Sequence, residues 1–247
     1  MNSNLAVSSL IGAGAGIIGT GLGGAIAFVL RKPSKRFLSF LLNFSAGLMI
    51  AVVCFDLLPE AFEIGNLAYG ILGIIIGVGA ILFFEGLIAS YFKQSQKTKE
   101  KSFIQTGILL GIGIALHNFP EGLAIGSGFT AIESYGLGLS LVIALHDIPE
   151  GIAMATPMSI GGIDKFKVFL SAVIAGIPTG IGALVGYLLG EISPTFICIC
   201  LGFAGGAMLY ITCSELIPEA RDLHRGRMSS LGLVLGVIVG TLVSAIL

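Results

Sequence analysis

The chain has 247 residues, 55% of them hydrophobic and 11% charged, with 37 glycines, no tryptophan and a formal net charge of −1. A soluble domain carries about 25% charged residues, so this composition, with a mean hydropathy of +1.01, excludes a water-soluble globule. The absence of a basic excess argues against a nucleic-acid partner and leaves the lipid bilayer as the expected surroundings.

A helix that crosses a bilayer needs roughly 20 consecutive apolar residues. In chain order the predicted spans are 5–30, 37–58, 67–92, 105–129, 135–157, 166–190, 195–219 and 228–247. The expected fold is therefore an all-α integral membrane protein of eight transmembrane helices, forming a single domain over 1–247. The opening MNSNLAVSSL has no positively charged region, so the first segment reads as a retained span and not as a cleaved signal peptide. All 13 Lys and Arg residues fall in odd-numbered loops: Arg31, Lys32, Lys35 and Arg36; Lys93, Lys97, Lys99 and Lys101; Lys165 and Lys167; Arg221, Arg225 and Arg227. Excess positive charge marks the cytoplasmic side, which predicts both termini outside and a multi-pass protein of the plasma (inner) membrane. Cys54, Cys198, Cys200 and Cys213 match no zinc-ligand spacing and read as small buried apolar residues.

The chain repeats itself. FSAGLMIAVVCFDLLPEA at 44–61 aligns without gaps on FAGGAMLYITCSELIPEA at 203–220, and the same offset carries Thr20 to Thr179, Gly73 to Gly232 and Gly77 to Gly236. Repeat units of about 5–92 and 166–247 then flank central helices at about 105–157. Because spans two and seven run in opposite directions, this is a 3+2+3 inverted repeat, an architecture that places substrate near the midplane at the pseudo-twofold axis.

The central helices carry a second repeat, HNFPEG at 117–122 and HDIPEG at 146–151, which holds two of the chain's three histidines. His117 lies about 18 Å into its span at 1.5 Å per residue, and His146 is similarly deep. Glu121 follows His117 by four positions, and Glu150 follows His146 likewise, so each pair shares a helix face. Asn118 and Asp147 add an oxygen each. Pro120 and Pro149 release backbone carbonyls at that depth, and Gly122 and Gly151 leave room for another helix. Acidic groups at mid-bilayer cost about 2.5 kcal/mol or more each. A divalent cation would compensate them, and mixed imidazole and carboxylate donors suit zinc, iron and related metals. At the ends of the repeat units, Asp56 and Glu60 lie on the outer side, and Glu215 and Glu219 on the inner side. They read either as the entrance and exit of one path or as solvated helix ends. Glu85 has no assigned role.

The paired phrases resemble the signature of the ZIP (Zrt-/Irt-like) metal transporters, a resemblance that covers the whole chain. It implies movement of zinc, with iron, manganese or cadmium as further substrates, into the cytosol by alternating access. It implies no enzyme and no catalytic cofactor, and a homodimer is open as the assembly. It makes His117, Glu121 and Glu150 the principal metal ligands, adds Met49, and makes His146, Asn118 and Asp147 close partners. Where relatives with two adjacent metals carry a Glu in span six, AGIPTGIGA places Thr179, so a second central metal is expected to bind weakly, and Thr179→Glu would strengthen it. The loop KQSQKTKEK lacks the histidines of many relatives. An intramembrane metallohydrolase, with Glu121 or Glu150 as general base, is the alternative reading of the same residues.

Overall fold

The computed structural model describes residues 3–30, 33–92 and 99–245; the basic residues Arg31, Lys32, Lys93 and Lys97 lie outside them. The described residues form ten α-helical segments: α1 Ser3–Leu30, α2 Lys35–Val52, α3 Leu58–Ile64, α4 Leu67–Phe92, α5 Lys99–Ala131, α6 Glu133–Ile160, α7 Lys165–Gly190, α8 Pro194–Ile211, α9 Ile217–Leu223 and α10 Arg227–Ser244. Caps set several of the boundaries. Ser34 Oγ accepts the Phe37 amide at the start of α2, Asn66 Oδ1 accepts the Tyr69 amide in α4, and Asp164 Oδ1 accepts the Phe166 amide in α7. Between α6 and α7, Gly162 adopts φ +85°, and Ile163 N–H returns to the Met158 carbonyl, the left-handed helix stop that glycine permits.

Helices α2 and α3 run on through a single π-helical turn at Val53–Leu57, and α8 and α9 through another at Thr212–Leu216. In each the next residue bonds five positions back, Leu58 to Val53 and Ile217 to Thr212. Pro59 and Pro218 follow directly. Proline has no N–H, and its ring crowds the carbonyl four residues earlier; a wider turn takes up that conflict without ending the helix. The predicted spans 37–58 and 195–219 therefore extend to Ile64 and Leu223. Cys54 and Cys213 are exposed at these turns, against the expectation of burial, whereas Cys198 and Cys200 are buried as expected.

Seven helical units among the described residues are long and apolar enough to cross a membrane: Asn4–Val29, Lys35–Ile64, Leu67–Leu87, Glu133–Ile160, Lys165–Gly190, Pro194–Leu223 and Arg227–Ser244. The eighth long helix, α5, is not among them; it carries His117, Asn118 and Glu121 near its middle.

The packing pairs helices in a regular way. Helix α1 lies against α6 as α7 lies against α5; α2 lies against α10 as α8 lies against α4; and α1 and α7 pack on each other. Close approach depends on absent side chains. A Cβ on Gly122 would overlap the Thr179 carbonyl, and one on Gly151 would overlap the Thr20 carbonyl, so each HxxPEG glycine seats a helix of a flanking unit. Helix α6 is 72% buried over its most apolar stretch, whereas α4 and α10 are 22% buried. The polar phrases thus occupy the middle of the bundle, and α4 and α10 form its flanks.

Candidate metal centre

Six polar side chains from α5 and α6 are removed from solvent at the centre. Asn118, Glu121, His146, Asp147 and Glu150 are 0% exposed and His117 is 3% exposed. Glu121, His146 and Asp147 each offer a ligand atom within 4.8 Å of the others. His146 Nε2 is 2.8 Å from Glu121 Oε1 and 3.5 Å from Asp147 Oδ1. With Glu121 ionised, the imidazole is the donor in the shorter contact.

What these groups lack decides what they can do. Glu121 Oε2, Glu150 Oε2, Asn118 Oδ1 and both Asp147 oxygens are buried without a donor, and neither ring nitrogen of His117 has a hydrogen-bond partner. Buried polar atoms are nearly always satisfied, and uncompensated buried charge is far more costly than an unmade neutral hydrogen bond. A cation would satisfy these unfilled acceptors, which are concentrated on α5 and α6. The donor set of one imidazole and two carboxylates fits zinc and similar first-row ions better than an all-oxygen cage would.

The remaining predicted residues divide by position. Asn118 Nδ2 donates to the Ala175 carbonyl of α7 at 2.7 Å, and its buried Oδ1 has no partner. His117 and Glu150 line a cavity of about 20 Å³ together with Glu215 and Glu219, room for one water-sized occupant. His117 Nε2 is 3.4 Å from Glu215 Oε2. Of the set that the resemblance implies, His117, Glu121 and Glu150 with Met49, Glu121 makes its closest contact with His146, while His117 and Glu150 line the small chamber. Met49 is fully buried, and its Sδ accepts from Thr212 Oγ1 at 3.6 Å. Thr179 is fully buried, with its hydroxyl against Gly16 of α1. Asp56 accepts from Ser244 of α10, and Glu60 lies one turn further along, in α3.

A second cavity, of about 290 Å³, shares Leu42, Leu110, Ala153 and Glu219 with the small one and reaches Pro33, Lys35 and Ile160. The larger cavity thus extends from the residues it shares with the chamber toward Lys35, in the first basic loop.

Sequence reasoning missed Ser45. Its hydroxyl donates to Glu150 Oε1 at 3.3 Å and lies 3.2 Å from the His146 carbonyl, which ties α2 to the liganding turn of α6. The signal was present in the repeat: the aligned position is Ala204, so a polar residue had replaced a small one in one copy.

A family model described as ZIP zinc transporter matches residues 94–247. Curated relatives described as zinc transporter ZupT include that of Clostridium perfringens, 33% identical with 90% of each chain covered, and that of Chlorobium limicola, 35% identical with 89% of this chain and 90% of the relative covered. That of Escherichia fergusonii is 34% identical, with 89% of each covered. The chain belongs to the ZIP family. A ZIP protein is a transporter and not an enzyme, so the metallohydrolase reading, with Glu121 or Glu150 as general base, falls away. The matched region includes both HxxPEG phrases and all of α6 to α10.

Proposed function

We propose that this ZIP protein carries divalent transition metal ions, zinc foremost and then iron, manganese or cadmium, across the plasma (inner) membrane into the cytosol by alternating access. The carrying observation is the set of buried, unsatisfied nitrogen and oxygen donors on HNFPEG and HDIPEG. Glu121, His146 and Asp147 hold the ion, with Asn118 Oδ1 beside them. His117 and Glu150 receive it on the way to Glu215 and Glu219, and Asp56 and Glu60 gather it at the opposite end. Met49 and Thr179 border this path from α2 and α7.

The same reading makes α5 the eighth span and the architecture a 3+2+3 inverted repeat with both termini outside. Its support is the reciprocal packing of the helices, the matched π turns and the equivalence of Gly122 on Thr179 to Gly151 on Thr20. The cavity at Lys35 and the small chamber at Glu150, which share Leu42, Leu110, Ala153 and Glu219, support an inward-facing state. Ion release needs only that water enter by this cavity and rehydrate the ion, offsetting the charge that the carboxylates no longer compensate.

Purified protein in vesicles tests the proposal. Zinc loaded outside should accumulate inside and be competed by iron, manganese and cadmium, and Glu121→Ala or Glu150→Ala should nearly abolish uptake. Vesicles that take up no metal with the wild-type chain, or that take it up equally with both variants, refute it.

A further inference from the structure

A cavity of about 720 Å³ opens between α9 and the start of α10. Arg221, Arg225 and Arg227 line it, together with Asp222, Ser229 and Ser230. Asp222 pairs with Arg225 at 3.4 Å, but both side chains are exposed, and such a pair is screened and worth little. Among the described residues no acid pairs with Arg221 or Arg227. Three guanidinium groups against one carboxylate leave the cavity positive.

The other copy of the repeat shows that the fold does not require this. The offset that carries Asp56 to Glu215 carries Phe62 to Arg221, Asn66 to Arg225, Ala68 to Arg227 and Gly70 to Ser229. In the first copy the Phe62 ring closes over Gly70, where a Cβ would come within 2.5 Å of it, and Asn66 Oδ1 caps α4 by accepting the Tyr69 amide. In the second copy both devices are gone: a guanidinium stands in place of the ring, and no side chain caps the start of α10 after Gly226. An uncapped helix start leaves amide donors and the positive end of the helix dipole without a partner. Ser229, 4% exposed, accepts from Asn43 Nδ2 of α2, and its own hydroxyl proton has no acceptor among the described residues. Guanidinium, amide and hydroxyl donors thus meet at one cavity, and what they lack is an anion with several oxygens.

We propose that this cavity binds a phosphate group, carried by the headgroup of an anionic phospholipid or as free phosphate, with Arg221 and Arg227 as its charged donors and the first turn of α10 as its cradle. The planar fork of arginine matches phosphate oxygens, and a helix N-terminus supplies further N–H donors. In the orientation proposed above, the cavity lies at the cytoplasmic ends of the spans, where basic pockets meet anionic headgroups.

Thermal melts of the full chain in a neutral detergent test it with two anionic probes used separately, inorganic phosphate and short-chain phosphatidylglycerol, and with phosphatidylcholine as the zwitterionic control. The wild type should gain stability, saturably, from at least one anionic probe. A gain from inorganic phosphate marks a site for free phosphate, and a gain from phosphatidylglycerol only marks a headgroup site. Arg221→Gln and Arg227→Gln should each raise the apparent Kd about tenfold, as loss of a charge-assisted hydrogen bond does. Both arginines are exposed, so melting without probe should match the wild type and establish that the variants are folded. Lys165→Gln combined with Lys167→Gln removes two exposed charges outside the cavity and should leave the Kd unchanged. If neither anionic probe stabilises the wild type more than phosphatidylcholine does, if the arginine variants bind as the wild type, or if the lysine pair weakens binding as much as they do, the inference fails. Zinc uptake does not enter these measurements, so the transport reading stands or falls separately.

Discussion

Replacing Glu121 by glutamine separates charge from shape. Glutamine keeps the length of the side chain and a carbonyl oxygen that can still accept from His146 Nε2, now 2.8 Å from Glu121 Oε1. Only the negative charge is lost. The side chain is 0% exposed and its Oε2 has no partner, so no water compensates for the change. A unit charge about 4 Å from a divalent ion is worth about 8 kcal/mol at an effective dielectric of about 20, most of which offsets dehydration of the ion. Deleting one member of a buried charged pair costs about 3–5 kcal/mol net, a loss of affinity between about a hundredfold and a few thousandfold. Thermal unfolding with and without zinc reads this directly. At a zinc concentration about 100 times the wild-type Kd, binding stabilises the fold by about 2.7 kcal/mol. For a variant with Kd raised about a hundredfold, the same concentration supplies only about 0.4 kcal/mol. Without metal, Glu121→Gln should melt no lower than the wild type, because it relieves repulsion with Asp147. A variant that keeps the full zinc-induced rise in Tm would refute the assignment of Glu121 as a ligand.

The glycines of the two phrases give a second expectation: Gly122→Ala and Gly151→Ala should each lower stability by about 3 kcal/mol, since the added carbon meets backbone and not a movable side chain. Gly14→Ala and Gly79→Ala, where nothing lies within 4 Å of the added carbon, should be neutral or stabilising by about 0.5–1 kcal/mol in the same melts. Thr179→Glu, attractive from the sequence as a way to strengthen a second central metal, should cost about 1–3 kcal/mol, because the Thr179 hydroxyl already abuts Gly16 of α1. A stable Thr179→Glu protein that binds an additional zinc would show that α1 yields there. Tags placed at either terminus should be reached by an impermeant reagent from outside, and one at Gly162 only after permeabilisation; the reverse pattern would invert the proposed orientation.

The helical spans and the repeated phrases were legible because each rests on local pattern: apolar length for the spans, and the four-residue step from His117 to Glu121 for the site. The internal repeat was legible because the glycines and prolines of 44–61 and 203–220 stand in register. The contact between Glu121 and His146 was not legible, because spacing along one helix says nothing of which side chains meet across helices. Ser45 escaped because a serine in an apolar span carries no pattern of its own. The ends of α3 and α9 escaped because proline reads as a stop where nothing in the sequence announces a wider turn upstream. Glu85 stood out as an acid among apolar neighbours, but its partner Tyr210 comes from a distant part of the chain.

The two π turns also bear on how the molecule came about. A π turn accommodates one residue more than the α turn it replaces, so it is a record of chain length within a helix, and reverting it would rotate everything beyond by about 100°. Val53–Leu57 and Thr212–Leu216 hold that extra residue at the same register, each just ahead of its proline. Two independent insertions would have had to strike the same spot in both halves. A single insertion in an ancestral three-helix unit, followed by duplication of the gene segment, yields both at once. The matched angular phase of Asp56 and Glu60 around one π turn, and of Glu215 and Glu219 around the other, follows from such a single event.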